Sequence, residues 1–158
     1  MDIQFAKMNG AGNDFIVIDN RSGEFSLDRE TIERLCDRHR GIGADGLLAV
    51  EPAEGAADFR MRYYNSDGGE AEMCGNGARC FARFAARLMD IPPHALSFET
   101  QAGPITAVLS GDSVTLDMGI PQDHRTGQAL RLADREMTVH FLNTAVPHAV
   151  VFLETVEE

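Results

Sequence analysis

Residues 77–89 constrain the fold of this 158-residue chain more than any other segment. Their apolar side chains recur with helical periodicity and form one broad face, made of Cys80, Phe81, Phe84, Ala85 and Leu88 and widened by Ala78, Ala82 and Ala86. Only Arg79, Arg83 and Arg87 interrupt it, and their spacing puts them in one narrow stripe. A helix that is apolar on nearly every side must be covered by other elements. The sequence therefore predicts a central helix, ended by Pro92 and Pro93 and enclosed by the rest of the chain.

Most of the remaining chain has the composition of β-strands. Strands are predicted at 3–8, 14–19, 47–51, 58–64, 95–100, 104–109, 113–118, 136–142 and 148–154. A glycine-rich loop over 9–13 joins the first two, and Gly111–Asp112 closes a hairpin. A second helix is predicted over 26–39, with Asp28 and Glu30 in its first turn. The predicted fold class is α/β of the α+β type, a mostly antiparallel sheet wrapped around a central helix.

Composition favours one folded domain that spans residues 1–158. Hydrophobic residues make up 44% and charged residues 25% of the sequence, as in ordinary globular domains, which argues against disorder. The net charge of −11 argues against nucleic acid as a partner, because it repels phosphates. The longest uncharged stretch, 137–153, contains two histidines, an asparagine and a proline, so no membrane span is predicted. With no signal-like pattern after Met1, we expect a cytoplasmic protein.

The sequence carries no convincing cofactor or metal motif. Lys7 is the only lysine, so a Schiff base with pyridoxal phosphate would have to use it, and no phosphate-cradling motif accompanies it. The cysteines at 36, 74 and 80 are too few for a disulfide framework and lack the spacing of a zinc site. We therefore expect no cofactor, no metal and reduced thiols.

Cys74 is the strongest candidate for chemistry, because it directly precedes the apolar helix. Unpaired N–H groups and the helix dipole at that position favour negative charge, so a thiolate acting as base or nucleophile is stabilised there. The alternative is a small buried hydrophobe, which is the favoured interpretation for Cys36 and Cys80. Neighbouring glycines leave Cys74 accessible and favour the functional interpretation.

Gly75 and Asn76 are candidates for binding an anion beside Cys74. Glycines at 75 and 77 allow a ligand close to the backbone, and the N–H groups of the helix start could hold a carboxylate or phosphate. A thiolate beside a bound carboxylate suggests removal of a proton from the adjacent carbon. The alternative is a capping loop with Asn76 as the N-cap residue.

Three further polar residues remain open between structural and functional roles. Asn13 and Asn65 lie in glycine-containing turns, where asparagine usually bonds its own backbone, although their amides could hold a polar substrate. His148 lies in an uncharged stretch, where a satisfied core histidine is the ordinary case. Near Cys74, it could tune the proton affinity of the thiol.

Four motifs together carry a family resemblance. They are MNGAGNDF at 8–15, RHRGIGADGLL at 38–48, YNSDGGE at 64–70 and MCGNGARCFARF at 73–84. In order and spacing they closely resemble the amino-terminal half of diaminopimelate epimerase. The resemblance implies interconversion of LL- and meso-diaminopimelate, on the route to lysine and peptidoglycan, without pyridoxal phosphate or metal.

The resemblance also implies an architecture and residue roles. Two similar halves, each a sheet around a central helix, face each other across the substrate, and each contributes one cysteine. Cys74 is then one acid–base group, Gly75 and Asn76 give N–H groups to the substrate α-carboxylate, and Asn13 and Asn65 bind substrate. His148 matches a histidine that adjusts the thiol. Residues 1–158 are then the amino-terminal domain, and the missing partner is a second domain or another copy of the chain.

Two positions depart from the family pattern, and two other functions stay open. Val146 stands where members often have asparagine, and Gly46 where some have glutamine. A stand-alone domain that binds an amino-acid carboxylate without turnover is one alternative. A sister isomerase is the other, but Asn76 differs from the Cys-Gly-His of proline racemases, and Cys74 differs from the carboxylate of phenazine isomerases.

Overall fold

The computed structural model describes residues 3–89 and 94–155, which form two compact units. The first unit ends at Asp117 and the second begins at Met118. The assignment of residues 1–158 to one amino-terminal domain stays a prediction. The proposed helix terminators, Pro92 and Pro93, lie outside the described residues.

The described residues of the first unit form an eight-stranded sheet and two helices. Its elements are β1 (Phe5–Gly10), β2 (Asn13–Asp19), α1 (Arg29–Cys36), β3 (Gly46–Glu51), β4 (Phe59–Asn65), β5 (Glu70–Ala71), α2 (Gly75–Ala86), β6 (Ala95–Thr100), β7 (Gly103–Ser110) and β8 (Ser113–Asp117). The strand order is β1-β2-β3-β4-β6-β7-β8, with β5 paired to β4. Among the described strands of this sheet, only β2 with β3 and β4 with β6 pair in parallel, so the prediction of a mostly antiparallel sheet is confirmed.

Helix α2 is the centre of this unit, as predicted. It packs against β1, β2, β3, β4, β7 and β8. Because β1 and β8 stand at opposite ends of the strand order and both contact α2, the sheet must curl around the helix. The ring of Phe81 is fully buried, and its centroid lies 4.8 Å from that of Phe98 on β6. Phe84 and Leu88, predicted for the apolar face, are half-buried.

Helix α1 covers the opposite face of β2 and β3. Its Ile32 and Cys36 pack with Ile16 on β2 and Leu47 on β3. With a helix on each face, both strands are apolar along their length instead of alternating. The helix is shorter than the predicted 26–39, because Asp28 is its N-cap residue and accepts a 2.9 Å hydrogen bond from the backbone N–H of Thr31.

The second unit is a three-stranded antiparallel sheet in the order β11-β10-β9. Its strands are β9 (Gln122–Arg131), β10 (Glu136–Asn143) and β11 (Pro147–Val150). The sequence predicted the last two, with β11 running to 154 instead of Val150. It missed β9, whose polar residues are exposed throughout and show no alternation.

Within the described residues, no helix is both long and apolar enough to cross a membrane. The same residues contain no group of three or more His, Cys, Asp or Glu side chains that could hold a metal ion. Cys36, Cys74 and Cys80 are free thiols.

Candidate active site

Cys74 is the N-cap residue of α2. Its backbone is extended, at φ −144° and ψ 118°, and its Sγ accepts a 3.5 Å hydrogen bond from the N–H of Gly77. The alternative that Asn76 caps the helix is wrong, because Asn76 lies in the first helical turn. Helix geometry leaves the N–H groups of Gly75 and Asn76 without intrahelical acceptors. The half-buried thiol therefore lies beside two donors suited to an anion.

Glycines let the start of α2 pack directly against the sheet. A Cβ atom on Gly77 would lie 3.3 Å from Leu48 and 3.4 Å from the ring of Phe15. A Cβ atom on Gly10, at the end of β1, would lie only 2.8 Å from the carbonyl oxygen of Asn76. The start of the helix is thus fixed against β1, β2 and β3.

The hairpin between β1 and β2 brings Asn13 to Cys74. Ala11 and Gly12 both have positive φ, 54° and 92°, the combination found in two-residue hairpin turns. Asn13 begins β2, and its Oδ1 accepts a hydrogen bond from the Cys74 thiol, with 3.6 Å between oxygen and sulfur. Two of the residues singled out in the sequence are therefore in contact, although 61 positions separate them.

Asp45 holds the other end of the Asn13 side chain. Its Oδ2 accepts a 2.6 Å hydrogen bond from Asn13 Nδ2, and its Oδ1 accepts a 2.8 Å bond from Arg38. Arg38 also donates to both carboxylate oxygens of Asp14, at 3.0 and 2.7 Å. Hydrogen bonds from Arg38 and Lys7 hold the pKa of the Asp14 carboxyl far below its usual range.

The sequence analysis assigned no role to Asp45 or Arg38. Both belong to the motif at 38–48, so the signal was present, but nothing in their spacing pointed to Asn13. The contact depends on the parallel pairing of β2 with β3, in which Phe15 lies opposite Gly46.

Asn65 ends β4 and opens a tight turn. Its backbone N–H donates to Gly69 and its carbonyl accepts from the N–H of Gly68, both at 2.9 Å. Its side-chain Oδ1 accepts a 2.7 Å hydrogen bond from the hydroxyl of Tyr63, a residue that the sequence analysis missed. Among the described contacts, Asn65 makes no hydrogen bond to Asn13 or Cys74.

Tyr63 links the Asn65 turn to the Cys74 region. Its ring packs edge-on against Phe15, with 6.1 Å between centroids. Burial, with a further contribution from the nearby Cys74 thiol, raises the pKa of Tyr63 to about 12. The hydroxyl therefore stays protonated at neutral pH and remains a donor to Asn65.

Gly46 leaves no room for a side chain. A Cβ atom there would lie 2.5 Å from the carbonyl oxygen of Tyr64 and 2.8 Å from the ring of Tyr63. The glutamine that some family members have at this position could be accommodated only if both tyrosines moved.

His148 lies on β11, in the second unit. It is exposed, so the interpretation as a core histidine is wrong for the described unit. Its Nδ1 lies 2.7 Å from the carbonyl oxygen of Val146, its neighbour two residues earlier. Its role beside Cys74 stays a prediction.

Cys36 and Cys80 have the structural surroundings expected for them. Only 3% of Cys36 and 4% of Cys80 is exposed. Burial raises the pKa of both thiols, that of Cys36 to about 11. Cys74 is the one half-exposed cysteine of the three.

Comparison with known protein families gives one consistent match. The family model for diaminopimelate epimerase matches residues 5–123. The diaminopimelate epimerase of Chlorobaculum tepidum is 45% identical, over 96% of this chain and 58% of its own length. That of Nitrosospira multiformis is 41% identical, over 95% of this chain and 58% of its own length. The chain thus spans about three fifths of the curated relatives that it matches.

Solved structures with low sequence identity share the fold. A hydroxyproline epimerase from Agrobacterium vitis, solved with bound trans-4-hydroxy-L-proline, matches with a TM-score of 0.71 at 16% identity, over 94% of this chain and 51% of its own. A phenazine biosynthesis protein of the PhzF family from Bacillus anthracis gives 0.60 at 19% identity, over 94% and 54%. At such identities these matches show the fold alone.

Proposed function

The chain belongs to the diaminopimelate epimerase family, and we propose that it supplies the Cys74 half of a two-cysteine, cofactor-independent epimerase. The observation that carries the proposal is the position of Cys74 as N-cap residue of α2. The sulfur lies beside the N–H groups of Gly75 and Asn76, which have no intrahelical acceptor. A substrate α-carboxylate bound to these donors brings its α-carbon next to the thiol.

The proposed reaction needs only proton transfers. A thiolate on one face of the α-carbon takes the α-proton, and a thiol on the opposite face returns one, so the configuration inverts with no net gain or loss of atoms. Cys74 is one of these groups. The other comes from the part of the family's length that this chain does not span, or from another copy of the chain.

The substrate of this reaction is proposed to be LL-diaminopimelate, converted to the meso form for lysine and peptidoglycan synthesis. Asn13 and Asn65 are proposed to bind the substrate through their side-chain amides, with the Tyr63 hydroxyl orienting Asn65. His148 is proposed, from the family resemblance alone, to adjust the proton affinity of the cysteine. We propose a cytoplasmic enzyme that needs neither metal nor pyridoxal phosphate.

Exchange of the substrate α-hydrogen in deuterated water tests the proposal. The chain is compared with its Cys74→Ala variant, each with and without the remaining part of the family's length from a relative. We expect exchange only after the remainder is added, and no conversion to the meso form with Cys74→Ala. Cys36→Ala is the matched control, since Cys36 is a buried thiol, and it should retain exchange.

Two outcomes would contradict the proposal. Conversion to the meso form that survives Cys74→Ala would exclude Cys74 as an acid–base group, because inversion needs a group on each face of the α-carbon. Saturable binding of diaminopimelate without exchange, even with the remainder present, would favour a carboxylate-binding domain without turnover. Exchange by the unsupplemented chain, lost in Cys74→Ala, would place the second thiol in another copy of the chain.

A further inference from the structure

The orientation of the Asn13 amide is determined by its neighbours. The oxygen and nitrogen of an asparagine amide have nearly the same shape, so only the hydrogen-bond partners distinguish them. Asp45 Oδ2 lies 2.6 Å from one end of the amide, and a carboxylate only accepts hydrogen bonds. The NH2 group must therefore face Asp45, and the oxygen must face the Cys74 sulfur, 3.6 Å away.

Asp45 is itself held on several sides. Its Oδ1 accepts from Arg38 at 2.8 Å, and its Oδ2 also accepts from the backbone N–H of Asp14 at 3.2 Å. The backbone N–H of Asp45 donates to Asp14 Oδ1 at 3.0 Å, and its carbonyl accepts from Ser66 at 3.1 Å. These bonds hold the carboxylate against the start of β2, so it stays in place whichever way the Asn13 amide is oriented.

We propose that Asp45 is a positioning residue, which keeps the oxygen of Asn13, and not its NH2 group, directed at the sulfur of Cys74. An acceptor at this position stabilises the protonated thiol, whereas a donor would stabilise the thiolate. Asp45 thus favours the form of Cys74 that can return a proton to the substrate. Its catalytic consequence rests on the proposed function, but the effect on the thiol does not.

Other groups near the sulfur act independently of Asp45. The N–H of Gly77 donates to the sulfur and favours the thiolate. Tyr63 on β4 and Cys80 on α2 interact with Cys74, and burial raises the pKa of both, so both are neutral at neutral pH. None of these groups changes when the Asn13 amide rotates by half a turn. The rotation itself therefore alters only the Asn13 hydrogen bond at the Cys74 sulfur, and the reactivity of the thiol reports it.

The Asp45→Asn variant tests the assignment. An amide at position 45 can donate to the Asn13 oxygen, which allows the Asn13 NH2 group to turn toward the sulfur. The measurement is the rate at which iodoacetamide alkylates Cys74 in the folded chain, followed by peptide mass spectrometry across pH. Exchanging one hydrogen bond of about 1 kcal/mol corresponds to about a fivefold faster reaction, with the midpoint of the pH profile shifted down.

A double-mutant comparison separates positioning from a general loosening of the loop. In an Asn13→Ser background no amide remains to rotate, so Asp45→Asn keeps only the effect of losing its charge, and the acceleration should be clearly smaller. Asp67→Asn is the matched control, because Asp67 is an exposed acid that bonds the backbone of its own turn. If Asp45→Asn does not fold, Asn13→Ala removes the oxygen that accepts from the thiol and should shift the midpoint in the same direction.

An unchanged rate and midpoint in Asp45→Asn would overturn the proposal. So would an undiminished acceleration in the Asn13→Ser background, because it would show that the carboxylate acts through its charge or on the loop and not through the Asn13 amide. The readout needs no turnover, so it is distinct from the test of function. A negative result in the exchange experiment would leave the result on the thiol standing. An unchanged alkylation rate of Cys74 would leave the epimerase proposal standing.

Discussion

Replacement of Gly10 by alanine should separate the start of α2 from β1. The new Cβ atom would lie 2.8 Å from the carbonyl oxygen of Asn76 and 3.2 Å from the sulfur of Cys80. The nearer atom belongs to the backbone, so rotation of a side chain cannot relieve the contact. Overpacking of this kind costs about 1–3 kcal/mol of unfolding free energy, and we expect that loss for Gly10→Ala.

Urea unfolding followed by tyrosine fluorescence measures this loss in the first unit alone. The chain has no tryptophan, and its two tyrosines, Tyr63 and Tyr64, both lie on β4. Gly55→Ala is the control, because the nearest atom there is the end of the flexible Glu99 side chain, and its effect should stay within about 0.5 kcal/mol. Backbone amide shifts at the start of α2 should move in Gly10→Ala only. A Gly10→Ala variant as stable as the control, with unmoved amides, would refute the close approach of β1 and α2.

Three further results follow from the ionisable groups. Iodoacetamide should modify Cys74 well before Cys36 and Cys80 in the folded chain, because burial raises the pKa of the latter two, and mass spectrometry of briefly treated protein gives the order. Asp14→Asn should destabilise the chain by about 1 kcal/mol at neutral pH. The folded-state pKa of Asp14 is lowered, so its contribution to stability is present above the ordinary value of 3.8 and fades as pH falls below it. The unfolding curves of the unsubstituted chain and of Asp14→Asn should therefore differ at neutral pH and converge at acidic pH. The pKa of Tyr63 is raised to about 12, so an absorbance titration of the folded chain should show its ionisation delayed beyond pH 10, and stability should fall between about pH 10 and 12.

The central helix was predictable because its periodicity is unambiguous. An apolar surface interrupted only by three arginines in one stripe requires cover on nearly all sides, whatever the topology. The N-cap position was not predictable to the residue. Asn76 is the commoner capping residue type, but the packing of Gly77 against Leu48 and Phe15 sets the helix start at Gly75, which leaves Cys74 as the cap.

The network around Asn13 could not be predicted from the sequence. It joins residues up to 61 positions apart and depends on which strands pair and in which register. Strand β9 was missed for another reason, since its exposed polar residues carry no period. Contacts across a sheet depend on strand pairing, which the sequence does not show, whereas the buried face of a helix follows from the spacing of its apolar residues.

The measurement that tests the central claim most directly is a titration of the chain with LL-diaminopimelate, followed through backbone amide chemical shifts. The claim is that the start of α2 holds the substrate carboxylate beside Cys74. We predict that the largest shifts fall on Gly75 and Asn76 and saturate together. The account would be contradicted if diaminopimelate shifted other regions of the first unit and left these two amides unchanged.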